Sequence, residues 1–179
     1  NIIISNSNIQ QCLYGVSIGH NQSRNINVTN TNVGAWVAFT TNSHGMRQGG
    51  FRKVEGGQID GCFKFVQLGA LNQQPEPTMF LGVYGESMGY VGDIANGAAH
   101  TQGVVFETCQ FNSQATAYNY SKNTLNITGG SPSVTFRRTT FTGQKGYHFN
   151  NEGVIEIDRC VFGITPAAGE TTGTNLASE

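Results

Sequence analysis

One short arrangement of apolar and polar positions keeps returning along the chain. It reads apolar-x-apolar-x-x-small-x-apolar, and it is clearest in NIIISNSNI (1–9), NINVTNTNV (25–33), GVVFETCQF (103–111), SVTFRRTTF (133–141) and VIEIDRCVF (154–162). FRKVEGGQI (51–59) and FLGVYGESM (80–88) read as two further copies. Taking the central apolar residue as a marker gives Ile4, Val28, Val54, Val83, Phe106, Phe136 and Ile157. Five residues after each stands Ile9, Val33, Ile59, Met88, Phe111, Phe141 or Phe162. Three residues after the marker stand Ser7, Thr31, Gly57, Glu86, Cys109, Thr139 and Cys160, all small except Glu86.

The spacing has a physical meaning. An apolar-x-apolar pair places both side chains on one face of a strand. Two residues then turn a corner, and Asn6 and Asn30 occupy the second of them, where a left-handed backbone suits Asn. The small-x-apolar pair resumes an inward-facing strand beside the bend. Most copies are followed by another apolar-x-apolar pair: Val16/Ile18, Val37/Phe39, Phe63/Phe65, Tyr118/Tyr120 and Tyr147/Phe149, with Val91 or Ile94 in the fourth coil. Length varies only in the loops. A self-similar unit that cannot bury its own apolar face must stack on its neighbours. The prediction is an all-β, right-handed, single-stranded parallel β-helix over 1–165, of about seven coils of 21–30 residues, followed by a polar tail or linker over 166–179. An antiparallel sandwich would share the composition, but it would not demand an invariant five-residue step.

NINVTNTNV and VIEIDRCVF resemble coils of the pectate-lyase-like superfamily of right-handed β-helices. That group includes pectin-active enzymes, alginate epimerases and lyases, and phage tailspike depolymerases. The resemblance implies a glycan-handling surface along a stack of strands and its flanking loops. It carries no catalytic motif that transfers residue by residue.

Charge narrows the partners. The 179 residues carry a formal net charge of −1, and 12% are charged. Such a surface lacks the basic stripe of a nucleic-acid binder, and no apolar run approaches the roughly 18 residues that suggest a membrane span. Cys109 and Cys160 fall in one inward column with Thr139 between them. Two rungs at strand spacing separate them by roughly 10 Å, too far to bond, so the four cysteines are expected as free, buried fillers. No ligand spacing suggests a metal, and no cofactor is expected.

Candidate chemistry lies on outward columns. At the bend these are Ser5, Thr29, Glu55, Tyr84, Glu107, Arg137 and Asp158. Here Glu55 and Glu107 form a possible carboxylate pair across Tyr84, against the plainer reading of a surface charge ladder. The third-strand column holds Trp36, Ala38, Lys64, Asp93, Asn119 and His148. The expected site takes Glu86 and Asp93 as acid/base carboxylates, with Trp36, Lys64, Asn119 and His148 as substrate contacts. The leading expectation is a carbohydrate-recognising segment of a phage tailspike or polysaccharide depolymerase acting on host surface glycan. Its partners would be a polysaccharide and, as a homotrimer, two further copies, on a virion or outside the cell. The alternatives are a secreted bacterial polysaccharide lyase, hydrolase or epimerase, and a non-catalytic structural or adhesive β-helix.

Overall fold

Every repeat of the pattern turns its first corner on a residue with left-handed backbone. These are Asn6, Asn30, Gly56, Gly82, Thr108, Arg138 and Arg159, with φ between 48° and 63°. The corner is knitted to the coils on both sides. Its own N–H donates to the following coil, as in Asn30 N to Glu55 O (2.8 Å), Gly82 N to Glu107 O (2.9 Å) and Arg138 N to Asp158 O (2.8 Å). Two residues later an N–H donates to the preceding coil, as in Asn32 N to Ser7 O (2.9 Å) and Thr140 N to Cys109 O (2.9 Å). With donors used in both directions, a one-residue slip would orphan buried backbone groups. That is why the step does not vary.

In this computed structural model the described residues are 2–18, 26–41, 51–68, 77–95, 103–113, 125–128, 133–144, 149–151 and 153–164. They form strands joined by bends, with no helix among them, in an all-β parallel β-helix. One sheet has seven strands: Ile2–Ser5, Ile26–Thr29, Phe51–Glu55, Thr78–Leu81, Val104–Glu107, Ser133–Arg137 and Val154–Asp158. We call this the first wall. The other sheet begins as two long strands, Asn8–Ser17 and Asn32–Thr40, and then forks. One arm continues the second wall through Gln58–Asp60, Tyr84–Met88, Gln110–Ser113, Thr140–Gln144 and Val161–Ile164. The other arm is the third wall: Lys64–Leu68, Tyr90–Ala95, Leu125–Thr128 and Phe149–Asn151. All pairings are parallel.

The marker residues Ile4, Val28, Val54, Phe80, Phe106, Phe136 and Ile157 are in register as one column, buried from Val28 to Phe136, with Ile4 half-buried and Ile157 exposed in the last coil. Identical side chains one rung apart stack, because strand spacing (~4.8 Å) matches ring spacing. Phe106 lies 5.0 Å from Phe80 and 4.9 Å from Phe136, with interplanar angles of 11° and 12°. Phe141 and Phe162 stack in the second column at 4.9 Å. Phe39, Phe51, Phe65 and Phe111 are also fully or almost fully buried, so the middle coils enclose an aromatic core.

The fourth coil corrects the expected register. Its marker is Phe80, three residues before Val83, and its corner is Gly82. Gly85 then occupies the second column, between Ile59 and Phe111. A side chain at Gly85 would meet Met88, whose sulfur lies 2.4 Å from the position of an added Cβ. Met88 therefore fills the space that the other coils fill from the column itself. Its apolar character imitated the expected pattern three residues out of phase. The outward bend column correspondingly contains Leu81 rather than Tyr84.

Where the small position holds Thr or Cys it also makes polar contacts; Gly57 and Val83 occupy it in the third and fourth coils without a side-chain donor. Thr139 Oγ1 donates to Arg137 O (3.1 Å) and to Phe106 O on the preceding coil (3.2 Å). Cys160 makes the same pair of contacts to Asp158 O and Phe136 O, and Cys109 to Glu107 O and Phe80 O. A small side chain with one proton to donate suits these three coils. All four cysteines are unbonded, and burial pushes the thiols of Cys62 and Cys109 up to about 12.

Candidate functional site

The third wall breaks simple alternation. Ala38 and Phe39 are adjacent and both belong to the core, as do Phe65 and Val66. Two consecutive inward residues bring side chains three apart to the same outer face. Two further columns result: Val37, Lys64 and Tyr90, then Thr40, Gln67, Asp93 and Asn126; Val37, Thr40 and Tyr90 are buried, and Lys64, Gln67, Asp93 and Asn126 are half-buried. In Tyr90–Ala95 the break falls at Gly92, with φ of 138°. An added Cβ there would lie 1.9 Å from Val66 O, so glycine is what lets Tyr90 and Asp93 share a face.

Asp93 is the centre of the resulting cluster. Lys64 Nζ is 2.6 Å from its Oδ2, and the Tyr90 hydroxyl donates to the same oxygen at 2.9 Å. Asn126 Nδ2 donates to Oδ1 from the next rung at 2.8 Å. Three neighbouring coils thus converge on one carboxylate. The Lys64 side chain is 17% exposed and that of Asp93 33%, so the pair is half-buried with one side open. The Tyr90 phenol is held well above its ordinary range, first by burial and then by the negative Asp93 beside it.

An aromatic ledge adjoins the cluster. Trp36 is exposed at the corner of the second and third walls and stacks on Phe63 at 4.5 Å. Phe63 meets Tyr90 edge-on at 5.2 Å, and Lys64 Nζ lies 5.7 Å from the Tyr90 ring centre and 5.8 Å from that of Phe63. Phe63 was expected inside with Phe65; it lies outside the core cluster, while Phe65 and Val66 are within it. Ala38, expected outward, is in the core because the alternation fails at that point.

The expected residues divide as follows. Lys64 and Asp93 come together, beside Trp36. Glu86 is on the second wall, in register with Asp60, and accepts a hydrogen bond from Gln58 Nε2 at 3.0 Å. Asn119 and His148 lie outside the described residues, as do Tyr118, Tyr120, Tyr147 and the tail. Glu55 pairs with Lys53 at 2.7 Å and Glu107 with Arg138 at 2.5 Å, with Leu81 on the rung between them. Sequence reasoning did not find Phe63, Tyr90 or Asn126 as site residues. A signal was present: Lys64-x-x-Gln67 and Tyr90-x-x-Asp93 repeat the same three-residue step. Among the described residues no three His, Cys, Asp or Glu side chains come together as a metal site.

The fold and this cluster define the class: a parallel β-helix with an aromatic and polar face on one wall. No known protein family, curated protein or solved structure matches the chain.

Proposed function

We propose that the chain is a carbohydrate-recognising β-helix segment, of the tailspike or polysaccharide-depolymerase kind, holding host surface glycan along its third wall. The observation that carries this reading is the continuity of the Trp36–Phe63 ledge with the Lys64–Asp93–Asn126 row. A pyranose ring offers an apolar face and a rim of hydroxyls. An exposed indole suits the face, and a carboxylate, an ammonium and an amide on successive rungs suit the rim. The cluster is organised by its own hydrogen bonds, so little ordering is required when a ligand binds.

Both Asp93 oxygens are engaged, by Lys64 and Tyr90 on one side and Asn126 on the other. This favours recognition over general acid or base chemistry at Asp93. Glu86, with Gln58 as its partner, is the carboxylate to test for an accompanying hydrolase or lyase activity. The pectate-lyase-like resemblance, a homotrimer and a virion or extracellular setting belong to the same proposal. Sedimentation of the protein as a monomer would remove the trimer.

The test is binding of the host capsular or cell-wall glycan, with depolymerisation followed in parallel. Trp36→Ala and Asp93→Asn should each weaken binding about tenfold or more, corresponding to roughly 1.4 kcal/mol. Unchanged affinity in both, with folding intact, would remove the third wall. Loss of depolymerisation in Glu86→Gln with binding retained would establish an enzyme.

A further inference from the structure

The register of the fourth coil gives the first wall a second feature. With Phe80 inward, Met79 and Leu81 both face outward. Val105 is the outward partner of Met79 on the next rung. These three apolar side chains adjoin one another, and each is only half-buried. Adjoining apolar side chains on the outside of a sheet gain from being covered. Charges of both signs frame them. On the rung before, Lys53 touches Glu55 at 2.7 Å. At the other end Glu107 pairs with Arg138, and Arg137 follows Glu107 in register. An apolar centre inside a charged rim is the anatomy of a protein interface.

We infer that this patch is where a second copy of the chain docks, with coil axes parallel and rungs level. The inference rests on the homotrimer proposed above and supplies the face that makes its contacts. Each first wall has two outward columns, one carrying Lys53 and Met79, the other Glu55 and Leu81. Three such walls around one axis let the first column of each copy meet the second column of the next. Met79 then meets the partner's Leu81, and Lys53 meets the partner's Glu55. A cleft of about 400 Å³ beside Met79, with Pro77 and Lys53 on its walls, leaves room for the incoming side chain. Lys53 and Glu55 are both more than a third exposed, and each exchanges its present partner for the same group on another copy, so neither charge is left unpaired. A surface of one sign would set Lys53 or Glu55 against its like; a copy of this chain matches both.

The experiment is sedimentation of the full chain over a range of concentrations. The unaltered protein should sediment as a trimer. Leu81→Glu sets a carboxylate between those of Glu55 and Glu107, and it should sediment as a monomer at the same concentrations. Lys53→Glu and Glu55→Lys should each weaken association about tenfold or more, by opposing like charges across the contact. Mixing these two variants should recover much of the loss, because one copy is then acidic at both positions and the other basic at both. A charge pair that serves only within one chain would give no recovery on mixing. Should Leu81→Glu unfold, as a thermal melt would show, the mixing experiment tests the face by itself. A trimer that persists in folded Leu81→Glu protein, or a mixture no more associated than its components, overturns this face while the homotrimer stands. An unaltered protein that is monomeric throughout overturns both.

Discussion

The first wall and the third wall are made by the same winding of the same chain, yet they obey different rules. On the first wall every strand ends at a left-handed corner, and the marker column runs unbroken from Ile4 to Ile157. On the third wall two adjacent residues turn inward in successive coils, at Ala38–Phe39 and Phe65–Val66. The first wall uses its backbone donors to hold register and its side chains to fill a column. The third wall gives up alternation and thereby gathers Lys64, Tyr90, Asp93 and Asn126 on one outer face. Regularity supports the scaffold, and the departure from it gathers the polar cluster.

The comparison breaks most easily in the core. Phe106 is fully buried and stacks between Phe80 and Phe136. Phe106→Ala should cost about 3–5 kcal/mol, the usual range for a buried Phe. Denaturant unfolding measures it. A loss below about 1 kcal/mol would mean that the column is not the shared support of the coils.

Asp93→Ala sharpens the contrast. It leaves the half-buried Lys64 ammonium, the Tyr90 hydroxyl and the Asn126 amide without their common acceptor. The expected loss is about 1–3 kcal/mol, smaller than for Phe106 because one side of the cluster meets solvent. Local hydrogen exchange should rise in Lys64–Leu68 and Tyr90–Ala95 before it rises on the first wall. Equal loosening of both walls would deny the third wall its separate character.

These walls were also unequally legible. The corner and both inward columns could be read from spacing, because the hydrogen bonds of the corner forbid slippage. The fourth coil was misread since Gly85 leaves its column empty and Met88 fills it from three residues further on. Gly82, at the same corner position as Gly56, was the available guide. The third wall was harder. Reading i and i+2 as an inward pair assumes alternation, which placed Phe63 inside and Ala38 outside. Lys64 and Asp93 were found as outward positions of the third-strand column. Their mutual contact depends on the Gly92 break, which spacing alone does not reveal.

Alkaline pH should separate the walls through Tyr90. Its phenol is raised above the ordinary value of 10.0 by burial and by Asp93. The fold therefore favours the protonated form. That contribution is complete below pH ~10, where an unfolded tyrosine would also be protonated, and it declines as pH rises above the unfolded value. Ultraviolet titration should find at least one of the six tyrosines un-ionised past pH 11 in the native protein, released on unfolding. Tyr90→Phe should remove that late phase. Its persistence in the variant would assign the protected phenol elsewhere.

The smallest expected effect lies at a first-wall corner and has the opposite sign. Four of the seven corners are Asn or Gly, which tolerate left-handed backbone, whereas Thr108 is β-branched and sits at φ 52°. A residue with a Cβ in this region costs roughly 1–2 kcal/mol, and a β-branched one is a clear outlier. The Thr108 hydroxyl recovers part of this by donating to Glu107 O at 2.7 Å. Its N–H donates to Arg137 O at 2.9 Å, a contact any residue except proline keeps. Thr108→Gly removes the strain but makes the unfolded chain more flexible, which offsets part of the gain. Thr108→Asn avoids that offset, since Asn already serves at Asn6 and Asn30. The asparagine variant should therefore be the more stable of the two, exceeding the parent by about 0.5–1 kcal/mol. Chemical denaturation of the three proteins gives the ranking. A parent more stable than both variants would mean that the Thr108 hydroxyl, rather than the backbone preference, governs this corner.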